Sequence, residues 1–218
     1  MKSVYAFNAI RCDLDAVMRN DPAARNKFEA ALCYSGFHAL VMYRFFHYLY
    51  VHRYFLLARM LSAFTKFLTG IEIHPGAVIG KGVFIDHGAG VVIGETAVVG
   101  DNVLIYQGVT LGGTGKISGK RHPTIEHDVM ICSGAKVLGP FTVGAGAKIG
   151  AGSIVLDEVP PNATVVGIPG KVVRISGHKV DDLNQSLPDP VEDEIAQLSA
   201  RVAELEKLLD ERDGGRRS

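Results

Sequence analysis

From about residue 71 to residue 156 an aliphatic side chain returns at every sixth position, with two interruptions: Ile73, Ile79, Ile85, Ile93, Val99, Ile105, Leu111, Ile125, Ile131, Val137, Val143, Ile149 and Val155. Small or branched residues stand two positions earlier, at Ala77, Val83, Val91, Ala97, Val103, Val109, Val129, Ala135 and Ala147. Glycine follows the aliphatic at Gly80, Gly94, Gly100, Gly112, Gly144 and Gly150. A 3.6-residue period does not fit this beat, and glycine recurs too often for a helix interior. Short fixed periods define solenoids, in which each repeat buries its apolar side only against its neighbours. Each hexad forms one short strand and a turn, and three hexads make one triangular coil. The pattern therefore predicts a parallel β-helix whose aliphatic residues stack into internal ladders.

Before the repeats the pattern changes. Residues 34–69 are strongly apolar but are interrupted by Arg44, Arg53, Arg59, Lys66 and several histidines, so they read as amphipathic helices rather than a membrane span, which needs about 20 mostly apolar residues. Fourteen of the 17 aromatic residues precede residue 71, and 20 of the 25 glycines lie within 71–170, which sets the domain boundary. Asp21-Pro22 has the form of a helix N-cap followed by N1. Gly36 and Gly70 read as helix punctuation. The aromatic surplus predicts helices packed on the prism or on another subunit. After the repeats, Val165–Gly170 reads as an extended exit from the coils. Ile195, Leu198, Val202, Leu205 and Leu209 then follow the alternating three-four spacing of a short coiled-coil seam. The architecture expected is α+β: a helical domain over 1–70, a parallel β-helix over 71–176, and a linker with a C-terminal helix over 177–218.

Charge adds little. Acidic and basic residues number 23 each, with no basic stripe, so nucleic acid is not an expected partner. Cys12, Cys33 and Cys132 are unclustered and odd in number, which suits a reducing, cytoplasmic setting and no thiolate metal site. No secretory signal is visible in the first twenty residues.

The two interruptions matter more. The step from Ile85 to Ile93 is eight residues and the step from Leu111 to Ile125 is fourteen. The first break holds Asp86-His87-Gly88-Ala89-Gly90, and the second holds the loop over 112–123, which includes Arg121 and His122. Insertions in repeat proteins become loops, and loops carry function.

Glu72-Ile73-His74-Pro75, Asp86–Gly90, Gly94-Glu95-Thr96, Gln107–Lys116 and Arg121-His122-Pro123 occur in that order, after Asp21-Pro22-Ala23 and Gly36-Phe37-His38-Ala39-Leu40. Over roughly residues 15 to 175 the chain resembles the serine O-acetyltransferases, hexapeptide-repeat acyltransferases whose prism is left-handed. The resemblance implies acetyl transfer from acetyl-CoA to L-serine, giving O-acetyl-L-serine on the route to cysteine. Acetyl-CoA would be a co-substrate, with no permanently bound cofactor and no metal. The implied roles are His87 as general base oriented by Glu72, Asp86 and Asp21 at the serine ammonium, and Arg121 and His122 at its carboxylate. Gly113, Thr114, Gly115, Ser133, Gly134, Ala135, Ala147 and Lys148 would line the acetyl-CoA groove. A homotrimer is implied, with a hexamer as the alternative. Partnership with O-acetylserine sulfhydrylase is left open, because family members dock a tail ending in Ile and this chain ends in Ser218.

The residue types suit the chemistry. A histidine can take a hydroxyl proton near neutral pH, and a carboxylate behind it would set its tautomer. The family usually places Asp where Glu72 stands, so the reach of the orienting group is altered. Cys132 occupies a hexad position and reads as a packed residue. Rival readings on the same fold are a different acceptor, a non-enzymatic scaffold, and a zinc site of the γ-carbonic anhydrase kind on His87, His122 and His127.

Overall fold

Four helices precede the coils in this computed structural model, which describes residues 2–115, 118–179, 198, 201 and 202. They are α1 (Lys2–Asn20), α2 (Lys27–Cys33), α3 (Ser35–Val51) and α4 (Phe55–Thr69). The buried face of α1 carries Ala9, Asp13, Ala16 and Val17, a helical spacing. Gly70 ends α4 in the left-handed region at φ 72°, as a C-terminal glycine does. Two other expectations are corrected. Asp21-Pro22 follows α1 and does not cap α2; Asn26 does, accepting from the Glu29 N–H. Gly36 lies inside α3 rather than ending a helix. A Cβ there would come within 2.0 Å of the Ile85 carbonyl oxygen, so glycine is what lets α3 rest on the first coil.

The coils form three parallel faces. The first face stacks β1 (Glu72–Ile73), β4 (Val92–Ile93), β7 (Thr110–Gly112), β10 (Lys136–Leu138) and β13 (Ile154–Val155). The second stacks β2 (Val78–Ile79), β5 (Val98–Val99), β8 (Thr124–Ile125) and β11 (Thr142–Val143). The third stacks β3 (Phe84–Asp86), β6 (Leu104–Tyr106), β9 (Met130–Ile131), β12 (Lys148–Ile149) and β14 (Ala163–Val166). All thirteen aliphatic beat residues are at most 5% exposed. At about 1.5–3 kcal/mol for each buried aliphatic side chain, these ladders are the main source of cohesion.

The register explains the interruptions. Ile73 pairs with Ile93, Ile93 with Leu111, Leu111 with Val137 and Val137 with Val155, giving coils of 20, 18, 26 and 18 residues by subtraction. The ladder absorbs none of the extra residues; they bulge out at prism edges. At the far end the chain does not simply leave. β15 (Lys171–Ile175) turns back antiparallel on β14, and β16 (His178–Lys179) pairs with β15.

A parallel solenoid leaves unpaired backbone groups on its first coil. Helix side chains satisfy them here. Ser62 Oγ donates to the Ile73 carbonyl and Tyr43 Oη to that of Ala77, while the Val83 N–H donates to Asp13. Arg44 bridges Asp13 and the Gly80 carbonyl, and the Arg44–Asp13 pair is buried. Burial outweighs this pairing at Asp13 and raises its carboxyl. Helices and coils thus share one hydrophobic core, from Leu40, Tyr43 and Phe46 to Val165.

The chain divides into two units, Met1–Asp181 and Asp182–Ser218. Most of the expected C-terminal seam, and the tail ending in Ser218, lie outside the described residues; Leu198 and Val202 are helical and exposed. Among the described residues no helix is long and apolar enough to cross a membrane.

Arg44→Ala would leave the Asp13 carboxylate buried and unpaired, and should cost about 3–5 kcal/mol of stability in urea-induced unfolding.

Candidate active site

Three edges join the three faces: His87 lies on one, His74 and His122 on a second, and His127 on the third. The edge between the third and first faces holds the two-residue insertion. Its peptide is tightly folded: the Gly88 N–H donates to the Asp86 carbonyl and the Ala89 N–H to the His87 carbonyl. His87 is itself in the left-handed region, at φ 57°, which a non-glycine residue adopts only against a steric cost. This turn presents the imidazole to solvent, with 77% of its side chain exposed. His87 Nε2 lies 3.8 Å from Asp86 Oδ1.

Asp21 joins this cluster from the turn after α1. Its Oδ2 accepts from Tyr34 Oη at 2.5 Å and its Oδ1 from the Ala23 N–H at 2.7 Å. The Tyr34 bond, above all, holds the Asp21 carboxyl below the usual range, and the charge of His87 acts in the same direction. Tyr106 stands one coil above Asp86 in register, and burial followed by the charge of Asp86 raises its phenol. Glu72 lies on β1, at the start of the first face, but its carboxylate pairs with Lys66 Nζ at 2.5 Å rather than with His87.

The edge between the first and second faces carries the long insertion. Thr96 organises its base. Its hydroxyl accepts from the Arg121 and His122 N–H groups and lies 2.9 Å from His122 Nδ1. The Thr96 N–H also donates to His122 Nδ1, so this nitrogen is the acceptor and the neutral ring carries its proton on Nε2. Burial, then the neighbouring Arg121 charge, pushes the His122 imidazole down. The ring packs on Gly94, where a Cβ would come within 2.0 Å of it. Arg121 Nη2 donates to Glu95 Oε2 at 2.6 Å, and Tyr50 donates to the other Glu95 oxygen at 3.2 Å. The Arg121 bond, above all, holds Glu95 below the ordinary carboxylate range.

The sequence-predicted residues thus form two clusters. Asp21, Asp86 and His87 meet on one edge; Arg121 and His122 meet on another. Reading by residue type did not single out Glu95, Tyr50, Tyr34 or Tyr106. Two had a signal: Glu95 precedes Arg121 by 26 residues and Asp86 precedes Tyr106 by 20, the lengths of the coils involved.

The residues expected to line the acetyl-CoA groove are spread out. Gly113, Thr114 and Gly115 lie at the base of the long loop. Ser133 and Gly134 lie on the His87 edge, where Gly90, Gly108, Gly134 and Gly152 stack with φ of 75°, 70°, 72° and 69°. This column is a side-chain-free strip of backbone on the His87 edge. Ala135 and Ala147 face the prism interior and offer no free side chain, while the backbone of Lys148 belongs to the third-face ladder. Burial pushes the Cys132 thiol up, the opposite of an activated nucleophile. His127 sits on the remaining edge, hydrogen bonded to Asp128, so the three histidines of the zinc reading do not converge within the chain. A concavity of about 520 Å3, lined by Arg19, Asn20, Asn102 and Asp128, also lies on that edge.

A triangular β-solenoid with histidines on expelled corners defines an acyltransferase-like scaffold, and comparison with known proteins narrows it. The family profile described as "Serine acetyltransferase, N-terminal" matches residues 2–41. The chain is 57% identical to the serine acetyltransferase of Bacillus subtilis, over 94% of this chain and 96% of that protein. The solved structure of Neisseria gonorrhoeae serine acetyltransferase aligns with a TM-score of 0.78 at 44% identity, covering 80% of this chain and 68% of that one. Soybean serine acetyltransferase complexed with serine aligns with a TM-score of 0.76 at 46% identity, covering 78% and 70%. The chain belongs to the serine acetyltransferase family.

Gly94→Ala should push the His122 ring off its seat. Imidazole NMR should then show its titration move up toward the ordinary range, with loss of the single Nε2–H tautomer.

Proposed function

We propose that this chain transfers the acetyl group of acetyl-CoA to the hydroxyl of L-serine, releasing CoA and O-acetyl-L-serine, the first step from serine to cysteine. The observation that carries the mechanism is the strained, exposed His87 flanked by the carboxylates of Asp86 and Asp21. In this reading His87 takes the serine hydroxyl proton as the oxygen attacks the thioester carbonyl. The C–O bond forms, the C–S bond breaks, and His87 returns the proton to the departing thiolate. Glu72 orients the imidazole after exchanging Lys66 for His87. Asp21 and Asp86 hold the serine ammonium. Arg121, steadied by Glu95, and the Nε2–H of His122 hold its carboxylate.

Serine is a zwitterion, and its two binding halves sit on different edges of one prism. A homotrimer resolves this if the His87 edge of one subunit faces the long loop of the next. The glycine strip beside His87 would take the pantetheine arm of acetyl-CoA, which needs backbone contacts and room rather than side chains. Acetyl-CoA supply and the free thiols of Cys12, Cys33 and Cys132 favour the cytoplasm.

Thiol release from acetyl-CoA should depend on L-serine in a panel of amino-acid and sugar acceptors. His87→Ala should lower kcat by about 10²–10⁴-fold, the usual worth of a general base; near-normal turnover would remove His87 from that role.

The shared site has its own test. Equal amounts of His87→Ala and Arg121→Ala subunits, unfolded and refolded together, should regain about a quarter of the parental activity, because a quarter of the interfaces then pair an intact corner with an intact loop. Mixtures no more active than either variant alone would place both clusters' functions within single subunits.

A further inference from the structure

We propose that Tyr34 is a positioning residue for the acceptor, holding the Asp21 carboxylate in place at the His87 edge. The proposal rests on the reading of Asp21 as an ammonium-binding group. Tyr34 is the hinge between two helices, the C-cap of α2 and the N-cap of α3. That hinge is pinned to the strand that leads into the active corner. Gly36 rests on the Ile85 carbonyl, and the Tyr34 ring lies 6.5 Å from that of Phe84. Phe84 and Ile85 belong to β3, which ends at Asp86. A short rigid path therefore runs from the corner through Tyr34 to Asp21.

Asp21 needs such a path. It lies in the turn after α1, and its own loop supplies only the Ala23 N–H. Tyr34 adds the second donor, at 2.5 Å, so each carboxylate oxygen is held by one donor and keeps lone pairs for a ligand. Tyr34, the Ala23 N–H and the charge of His87 act on this carboxylate, and its own charge reaches Tyr106. The same hydrogen bond, first among its causes, pushes the Tyr34 phenol up to about 12, so Tyr34 stays a donor while Asp21 stays an anion.

Tyr34→Phe removes the hydroxyl and keeps the ring against Phe84. In steady-state kinetics it should raise KM for L-serine about tenfold, as loss of a hydrogen bond to a charged group does, and leave kcat and KM for acetyl-CoA within about twofold. In an Asp21→Asn background it should add nothing further. A rise in both KM values with a matching fall in thermal midpoint would mark Tyr34 as merely structural and overturn the proposal. An unchanged serine KM in Tyr34→Phe, with a raised one in Asp21→Asn, would also overturn it while leaving the role of Asp21 standing. A neutral Asp21→Asn would remove the role of Asp21 and the proposal together.

Discussion

In-register stacking is the constraint on which this molecule depends. Each aliphatic residue must lie on its copy one coil away, because those ladders, with the small and branched residues two positions before them, fill the prism interior. A strand that gained one residue would turn its buried side chains outward. Extra residues are therefore expelled at edges, two beside His87 and eight beside His122. What leaves the ladder is freed from packing and can present polar side chains. The rigid coils then hold those side chains as loops on their own could not.

The same constraint creates an end problem, and its solution reaches the site. The first coil has no coil beneath it, so Ser62, Tyr43, Arg44 and Asp13 take the place of the missing strand. Docking α3 this closely requires Gly36 over Ile85. That contact also carries Tyr34 and Asp21 to the His87 edge. The helical cap and one side of the candidate acceptor site are thus a single packing arrangement. A change in how the helices seat would be felt at Asp21 before it reached His87, which hangs from the ladder directly.

Periodicity made most of the solenoid legible. Thirteen spaced aliphatic residues set the ladders, and the two miscounts located both histidines of the candidate site. Counting one coil from a known residue would also have reached Glu95 from Arg121 and Tyr106 from Asp86. The helical region offered no such ruler. Asp21-Pro22 matched a capping pattern that Asn26 in fact fulfils, and Gly36 looked like a helix break when its role is a close approach to a distant carbonyl. The pairing of Glu72 with Lys66 was equally hidden, since it depends on how α4 lies on the first face. Contacts between a periodic and a non-periodic element follow from three-dimensional docking, and no spacing along the chain encodes them.

The separation of charge gives the proposed assembly a chemical purpose beyond stability. On one prism the His87 edge presents the carboxylates of Asp86 and Asp21, and the Arg121 edge already spends part of its charge on Glu95. Neither edge alone matches a zwitterion. His87, mostly exposed on a single prism, sits in water, where a bound alkoxide gains little from fixed charges and an acyl donor is open to hydrolysis. Bringing the long loop of one subunit over the corner of the next would complete the charge pattern and cover the imidazole in the same step. Catalytic competence would then depend on the quaternary contact, and a lone folded chain would keep every residue of the site without the site itself.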